Sequence, residues 1–446
     1  MRVLVVGAGL AGLTAAADLT AAGVDTTVLE ARDRVGGRTR GIEVAPGAWV
    51  DAGAAYLGDR HTELHKTLAG VGLSTNPTTM DGDSRFAFAG REQTRAGRFP
   101  PLNAVALGEM FDLLDELTAT IRLDAPWLTP DAESWDSLTA AQWAERHLRH
   151  PDARTFFPLF LGEMMAADPA TVSMLHVAFY LRSGGGIGYL NAFEGGAQQD
   201  RIRGGAHQVC ERLAGRLGAR VRLNRPVRAI QQNVRAATVH TDGEQFRCDA
   251  VVVAVPPLLA EAIDYRPVLP APRATDLTGR GCAVKVQLVY PAPHWRADGL
   301  SGWSVSSTGP LLSTVDDSPP DGAVGVLTGF VTGAEAYRFT ALSAPEQRAE
   351  TLRQLAHLFP RLPLPIGFHV SDWVSEQYSR GCYAAVFGPH DWLRLGPRLS
   401  TAHGRVHWAG TETSTEYFGL MEGAIRSGHR VAHEVLSSYE PVGRTR

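Results

Sequence analysis

A chain of 446 residues is too long for one ordinary core, so two intimately packed domains are expected. Its 44% hydrophobic and 20% charged residues are those of a folded globular protein. A formal charge of −4 leaves no basic footprint for nucleic acid, and no apolar run reaches the roughly 18–20 residues of a membrane helix.

In chain order, residues 2–6 form a short apolar run that predicts a strand. It follows Met1 without a charged leader or cleavage site, so cytosolic residence is expected. Gly7-Ala8-Gly9-Leu10-Ala11-Gly12 comes next, then an Ala-rich helix over 13–22 stopped by Gly23, then a strand over 26–29 ending at Glu30. This βαβ opening predicts a parallel sheet. Residues 77–182 carry mostly helical patterns, over 107–122, 137–148 and 154–165. Strand patterns return at 221–230, 236–241 and 250–255, the last stopped by Pro256-Pro257. A second block of strands is predicted over 282–290, 302–306 and 324–330. The chain closes with a strand at 406–409 and a helix over 421–436, whose face of Ala424, Gly428, Val431, Ala432 and Val435 suits close packing on a sheet.

The expected fold is α/β with an α+β substrate part: a discontinuous Rossmann-like domain (1–76, 196–270, 396–446) with a substrate domain inserted twice (77–195, helical; 271–395, sheet). Cys210, Cys248, Cys282 and Cys382 are scattered, which predicts neither a disulfide framework nor a metal cluster. Of the 43 basic residues only Lys66 and Lys285 are lysine. A lysine kept in a buried strand therefore calls for a reason.

Gly7, Gly9 and Gly12 fit a dinucleotide turn: one glycine for the bend, one for approach to a pyrophosphate, one for helix–strand packing. The helix N-terminus aims amides at the anion. Glu30 lies 18 residues beyond Gly12, where a carboxylate can accept ribose hydroxyls. Arg32-Asp33-Arg34-Val35-Gly36-Gly37-Arg38-Thr39 then offers a second backbone approach to a diphosphate, which favours FAD over NAD. Here the sequence resembles the flavin amine oxidase superfamily, and Asp51-Ala52-Gly53-Ala54-Ala55-Tyr56-Leu57-Gly58 is similar to its next segment, beside the isoalloxazine. Asp124-Ala125-Pro126-Trp127, Trp135-Asp136, residues 195–213, Glu376-Gln377-Tyr378-Ser379-Arg380-Gly381-Cys382-Tyr383, Trp408-Ala409-Gly410-Thr411-Glu412-Thr413 and Met421-Glu422-Gly423-Ala424 narrow the resemblance to the flavin monoamine oxidases and extend it over nearly the whole chain.

That resemblance implies FAD bound by Gly7, Gly9, Ala11, Gly12, Glu30, Ala31, Arg32, Gly37, Arg38, Gly53, Ala54, Ala55, Tyr56, Val227, Trp373, Cys382, Gly410, Thr411, Glu412 and Met421. Cys382 stands where some members tether the flavin through a thioether, and others lack the cysteine. Tyr383 matches one wall of an aromatic cage facing the flavin. The second wall, normally tyrosine, falls on Leu420, with Tyr417 or Phe418 as partial substitutes. Alternation puts Lys285 on the opposite strand face from Val284, Val286 and Leu288, and the family lysine there assists oxygen reduction. The helix from Met421 is implied to meet the flavin's pyrimidine edge. Phe160, Glu163, Met164, Tyr189, Leu190, Gln198, Phe330, Tyr383 and Leu420 are implied to line the substrate cavity, and Glu163 or Glu194 could hold a distal ammonium or hydroxyl.

The function implied is oxidation of a small-molecule amine to an imine, with O2 reduced to H2O2, catalytic Lys285 and Tyr383, no metal and no membrane anchor. Homodimers are the family precedent. Two alternatives stay open: a related flavoenzyme acting on an amino acid or a carbon–carbon bond, and a flavin-binding protein without turnover.

Overall fold

The computed structural model describes residues 1–270, 279–320 and 322–439. Its first sheet has five parallel strands in the order Val221–Arg222, Asp25–Leu29, Arg2–Val6, Ala250–Val253, Val406–Trp408. Val3 to Val6 and Ala250 to Val253 are buried on both faces, as continuous apolar runs in a covered parallel sheet should be. The helix Leu10–Ala21 begins three residues earlier than its pattern suggested. It packs against the final helix, Met421–Tyr439. The small-residue face of that final helix therefore meets a helix as well as the sheet. A side chain at Gly428 would strike the Ala11 carbonyl and the Thr14 side chain, which is why the two helices approach so closely.

The predicted strand over 221–230 is in fact two. Asn224 at φ 55° and Pro226 break the run, and Val227–Gln232 joins a different, four-stranded sheet with Ala237–Thr241, Gln245–Cys248 and Asp264–Arg266.

The third sheet has seven strands, in the order Gly367–Asp372, Ala283–Tyr290, Gly325–Thr332, Ser313–Asp316, Leu300–Ser306, Asp83–Phe88, Arg91–Arg95. Its last two strands add to the mostly helical patterns expected over 77–182 a hairpin that those patterns did not include. Asp83–Phe88 does alternate, with Ser84, Phe86 and Phe88 inward, and Ala89-Gly90 turns the chain with both φ positive. Arg91–Arg95 is wholly exposed and polar, so it carries no hydrophobic signal. Ser313–Asp316 and Gly367–Asp372 were not foreseen either.

Helices Ala104–Ala119, Ala140–His147, Pro151–Met165 and Met174–Ser183 pack around Met110, Leu114, Phe156, Phe157 and Phe179. Thr139 and Gln142 form a reciprocal cap on the second, and Pro151 opens the third at its first turn, earlier than predicted. A small sheet of Tyr56–Leu57, Asp200–Ile202 and Thr75–Pro77 stitches the layers together.

Candidate active site

One continuous cavity runs from the first βα turn to the seven-stranded sheet. At its outer end Gly7 adopts φ 104°, and a side chain at Gly12 would collide with the Gly7 carbonyl behind the turn. Gly9 has open space where its side chain would be, and no side chain caps the helix that follows, so its first amides are free for a phosphate. Glu30 is buried and fixed: its carboxylate accepts from the Ala8 amide (2.8 Å) and the Arg32 amide (3.0 Å). Ala11, Ala31, Arg32, Val227 and Gly37 share this wall. Arg32 pairs with Glu376 and stacks 5.5 Å from the Tyr378 ring centre.

Further in, Arg38 lines the cavity while its guanidinium donates to Glu412 (2.6 and 3.0 Å) and to the Tyr383 carbonyl (2.9 Å). Glu412 itself stands behind the wall. Burial pushes its pKa up, but the charge and hydrogen bonds of Arg38 win and hold it below the ordinary value. Trp373 is also set back. Its indole donates to the Ala52 carbonyl (2.7 Å) and its ring backs Gly53, where no side chain would fit. Gly53, Ala54, Ala55, Tyr56, Gly410, Thr411 and Met421 complete the inner wall. A continuous cavity with glycines at its backbone approaches, a fixed acid at one end and an uncapped helix N-terminus fits FAD.

At the inner end Lys285 is buried, and its ammonium donates to the carbonyls of Asp51 (3.1 Å) and Gly53 (2.7 Å) over the Phe330 face (5.2 Å). Burial pulls its pKa down to about 8, against the pull of Asp51. Cys382 is buried, which pushes its thiol up to about 11 despite Arg38 and Lys285 nearby. A cis peptide joins it to Tyr383. Tyr383 lines the cavity with Met164, Leu190, Gln198, Phe330 and Leu420.

Neither suggested substitute for the missing second ring reaches the cavity. Phe418 is buried against His176, Phe179 and Phe387, and Tyr417 meets His61 edge-on (5.1 Å) with Arg426 over its ring. The ring that does line the wall is Tyr180, whose hydroxyl donates to the Met164 carbonyl (2.7 Å) and whose ring lies against Gly419. The sequence hid it within an apolar helix, beside Phe179. His61 also lines the cavity, and burial pushes its pKa down to about 4.

Three expected pocket residues lie elsewhere. Phe160 packs in the helical core, drawn there by Phe111 and Phe156. Tyr189 is set back, its hydroxyl accepting from the Arg60 amide (3.0 Å). Glu194 is exposed and off the cavity. Glu163 does line it, and one carboxylate oxygen accepts from Arg98 (2.6 Å). Arg98 is clamped between Phe193 (4.7 Å) and Trp303 (5.1 Å) and also donates to the Asn191 carbonyl. Nothing in the sequence marked Arg98 as this partner.

The family model for flavin containing amine oxidoreductases matches residues 10–436. The chain belongs to that family. It is 36% identical over 443 residues, covering 97% of each chain, to a Dictyostelium discoideum protein named probable flavin-containing monoamine oxidase A. It is 33% identical to the dog flavin-containing amine oxidase A, covering 98% of this chain and 85% of the other. Among solved structures, wild-type putrescine oxidase bound to putrescine superposes with a TM-score of 0.92 at 33% identity, covering 98% and 99% of the two chains. Cyclohexylamine oxidase from Brevibacterium oxydans does so with the same score and coverage at 30%. The enzyme is thus an FAD-dependent oxidoreductase acting on amines. No helix among its described residues is long and apolar enough to cross a membrane.

Proposed function

We propose that the enzyme oxidises a small amine bearing a distal hydrogen-bond donor, and that its substrate site lies between Tyr383, Leu420 and Glu163. The observation that carries this reading is that one cavity joins the dinucleotide turn to these three side chains. FAD, when bound, would take up the electron pair of the α-carbon's C–H bond as the amine loses an N–H proton and becomes an imine, and would hand that pair on to dioxygen. Tyr383 offers a ring face that orients the lone pair of the neutral amine. Leu420, Tyr180, Met164 and Phe330 keep water from the reacting carbon. The imine leaves and hydrolyses to a carbonyl compound.

At the distal end, Glu163 presents a carboxylate already tied to Arg98, so the pair is close to neutral. Such a pair supplies a fixed acceptor with little net charge, which suits a hydroxyl or an amine that can shed its proton. Arg98 is the arginine an amino-acid substrate would need, but Glu163 and the Asn191 carbonyl engage it. The neighbour solved with putrescine supports a short bifunctional amine. Lys285 is proposed to face the oxygen reaction, with H2O2 as product.

The same reading assigns 1–76, 196–270 and 396–446 to the FAD-binding domain and 77–195 and 271–395 to the substrate domain, which the membership of the parallel and seven-stranded sheets supports. It includes cytosolic residence and a homodimer.

Anaerobic bleaching of the bound flavin by a panel of monoamines, amino alcohols and diamines tests this. Bifunctional amines should bleach it fastest, and Glu163→Gln should raise their KM about tenfold while leaving a plain monoamine within about twofold, one charge-assisted hydrogen bond being worth roughly 1.5–3 kcal/mol. Equal losses for both classes would remove Glu163 from recognition.

A further inference from the structure

Lys285 sits in the middle of the strand Ala283–Tyr290, opposite Phe330 on one neighbouring strand and Ser371 on the other. It is almost fully buried, and among the described residues its ammonium bonds to carbonyls and pairs with no carboxylate. Its two protein acceptors are carbonyls, one of them that of Asp51. Asp51 ends the strand Ala48–Asp51, and its side chain is buried too, with one oxygen accepting from the Ala206 amide (2.8 Å). The ammonium therefore sits on the backbone carbonyl of the residue whose side chain, a few bonds away, carries the carboxylate, and the two charges attract without forming a hydrogen-bonded ion pair. The other groups that act on Lys285 are Arg201, which opposes its charge and is itself paired with Asp317, and the Cys382 thiol. Arg201 and His207 also act on Asp51, both lowering its pKa.

We infer that Asp51 is a positioning residue for Lys285: its carboxylate keeps the buried side chain an ammonium, seated on the Asp51 and Gly53 carbonyls. A neutral amine would have one donor fewer and no charge to offer the oxygen reaction. The inference rests on the proposed oxygen-side role of Lys285 but is testable apart from it. Burial disfavours both charges, pulling Lys285 down and pushing Asp51 up, and each is the strongest opposing influence on the other.

The composition of the chain makes the test direct. With only Lys66 and Lys285 to label, ε-13C-lysine holoenzyme should give two side-chain signals, and Lys66→Arg assigns them. Lys66 is exposed and serves as the internal reference. Lys285 should titrate below Lys66 yet above pH 7. Asp51→Asn, which keeps an oxygen for the Ala206 amide, should lower that titration by about one pH unit or more, a roughly tenfold fall in the charged fraction above it. Asp51→Glu should hold it near the wild-type position.

A shift of less than about 0.3 pH units in Asp51→Asn, within the scatter expected of sites with no charge partner, overturns the inference. Should the Asn variant fail to fold or to hold flavin, the wild-type titration still decides. Lys285 titrating below about pH 6, outside the range in which it would be charged at neutrality, overturns it as well. Stopped-flow reoxidation across the same pH range separates the two ideas. A rate that falls above the measured Lys285 titration, and falls earlier in Asp51→Asn, supports both. A titration that moves while the reoxidation profile stays fixed sustains the Asp51–Lys285 coupling and removes Lys285 from the oxygen step.

Discussion

Leu420 leaves Tyr383 without a facing ring, and the space it opens is bounded by Tyr180 rather than by Tyr417 or Phe418. Tyr383→Phe, which keeps the ring, should stay within about threefold of wild-type kcat/KM, whereas Tyr383→Ala should lose about 10- to 100-fold, an aromatic contact to an amine being worth roughly 1–2 kcal/mol beyond the lost packing. Equal losses in both variants would shift the role to the hydroxyl. Leu420→Tyr should turn preference toward flat arylalkyl amines, read as a change in the ratio of kcat/KM values. Cys382 lines the same cavity beside Tyr383, buried and with its thiol held protonated at neutral pH. If it is the flavin tether, acid-precipitated wild-type protein keeps its yellow colour and Cys382→Ala releases all of it; colourless wild-type pellets would dismiss the bond. At this scale the sequence spoke clearly where a spaced motif fixed both residue type and neighbours, as at Gly7, Glu30, Lys285, Cys382 and Tyr383. Tyr180, His61 and Arg98 gave no such signal. Their roles come from packing between segments far apart in the chain, and an aromatic or a histidine in an apolar run reads as core.

Elements show the same division. The first βα unit and the central strands were legible because apolar runs and glycine turns are local. The hairpin Asp83–Phe88 and Arg91–Arg95 was not, because its outer strand has no buried face and is held by its partner and by the turn. Phe160 shows the reverse error: it shares a helix face with Glu163 and Met164, three and four residues on, yet packs on Phe111 and Phe156 while those two line the cavity. The contact between the first and last helices depends on Gly428. Gly428→Leu should destabilise the fold by about 1–3 kcal/mol through overpacking against Ala11 and Thr14, measured by urea denaturation. A change below about 0.5 kcal/mol would mean the two helices can separate freely.

For the whole molecule, the buried Arg38–Glu412 pair links segments 374 positions apart, joining the glycine-rich opening to the closing strand region. Removing one partner of such a buried pair costs about 3–5 kcal/mol, so Glu412→Gln should lower the thermal midpoint and loosen flavin retention at neutral pH. The sign with pH follows from the direction of the shift. Glu412 is held below its ordinary value in the folded state, so its contribution is present above about pH 4.5 and is lost as pH falls through the lowered value. The gap between wild type and Glu412→Gln should therefore shrink in acid; a gap that stays constant from pH 7 to pH 3 would rule out the pair as its source.

The closing segment has a further consequence. Val406–Trp408 supplies an edge of the parallel sheet, Gly410, Thr411 and Met421 supply cavity wall, and Glu422 of the last helix accepts the Leu64 amide (2.8 Å) and so caps the helix Thr62–Val71. None of these parts exists until about the last forty residues have been made. On the ribosome, the nascent chain can shape the adenine end of its cofactor site early but cannot enclose the ring end. Full enclosure of FAD should therefore wait until residues 406–439 have been made, so a chain truncated before residue 406 should not retain flavin.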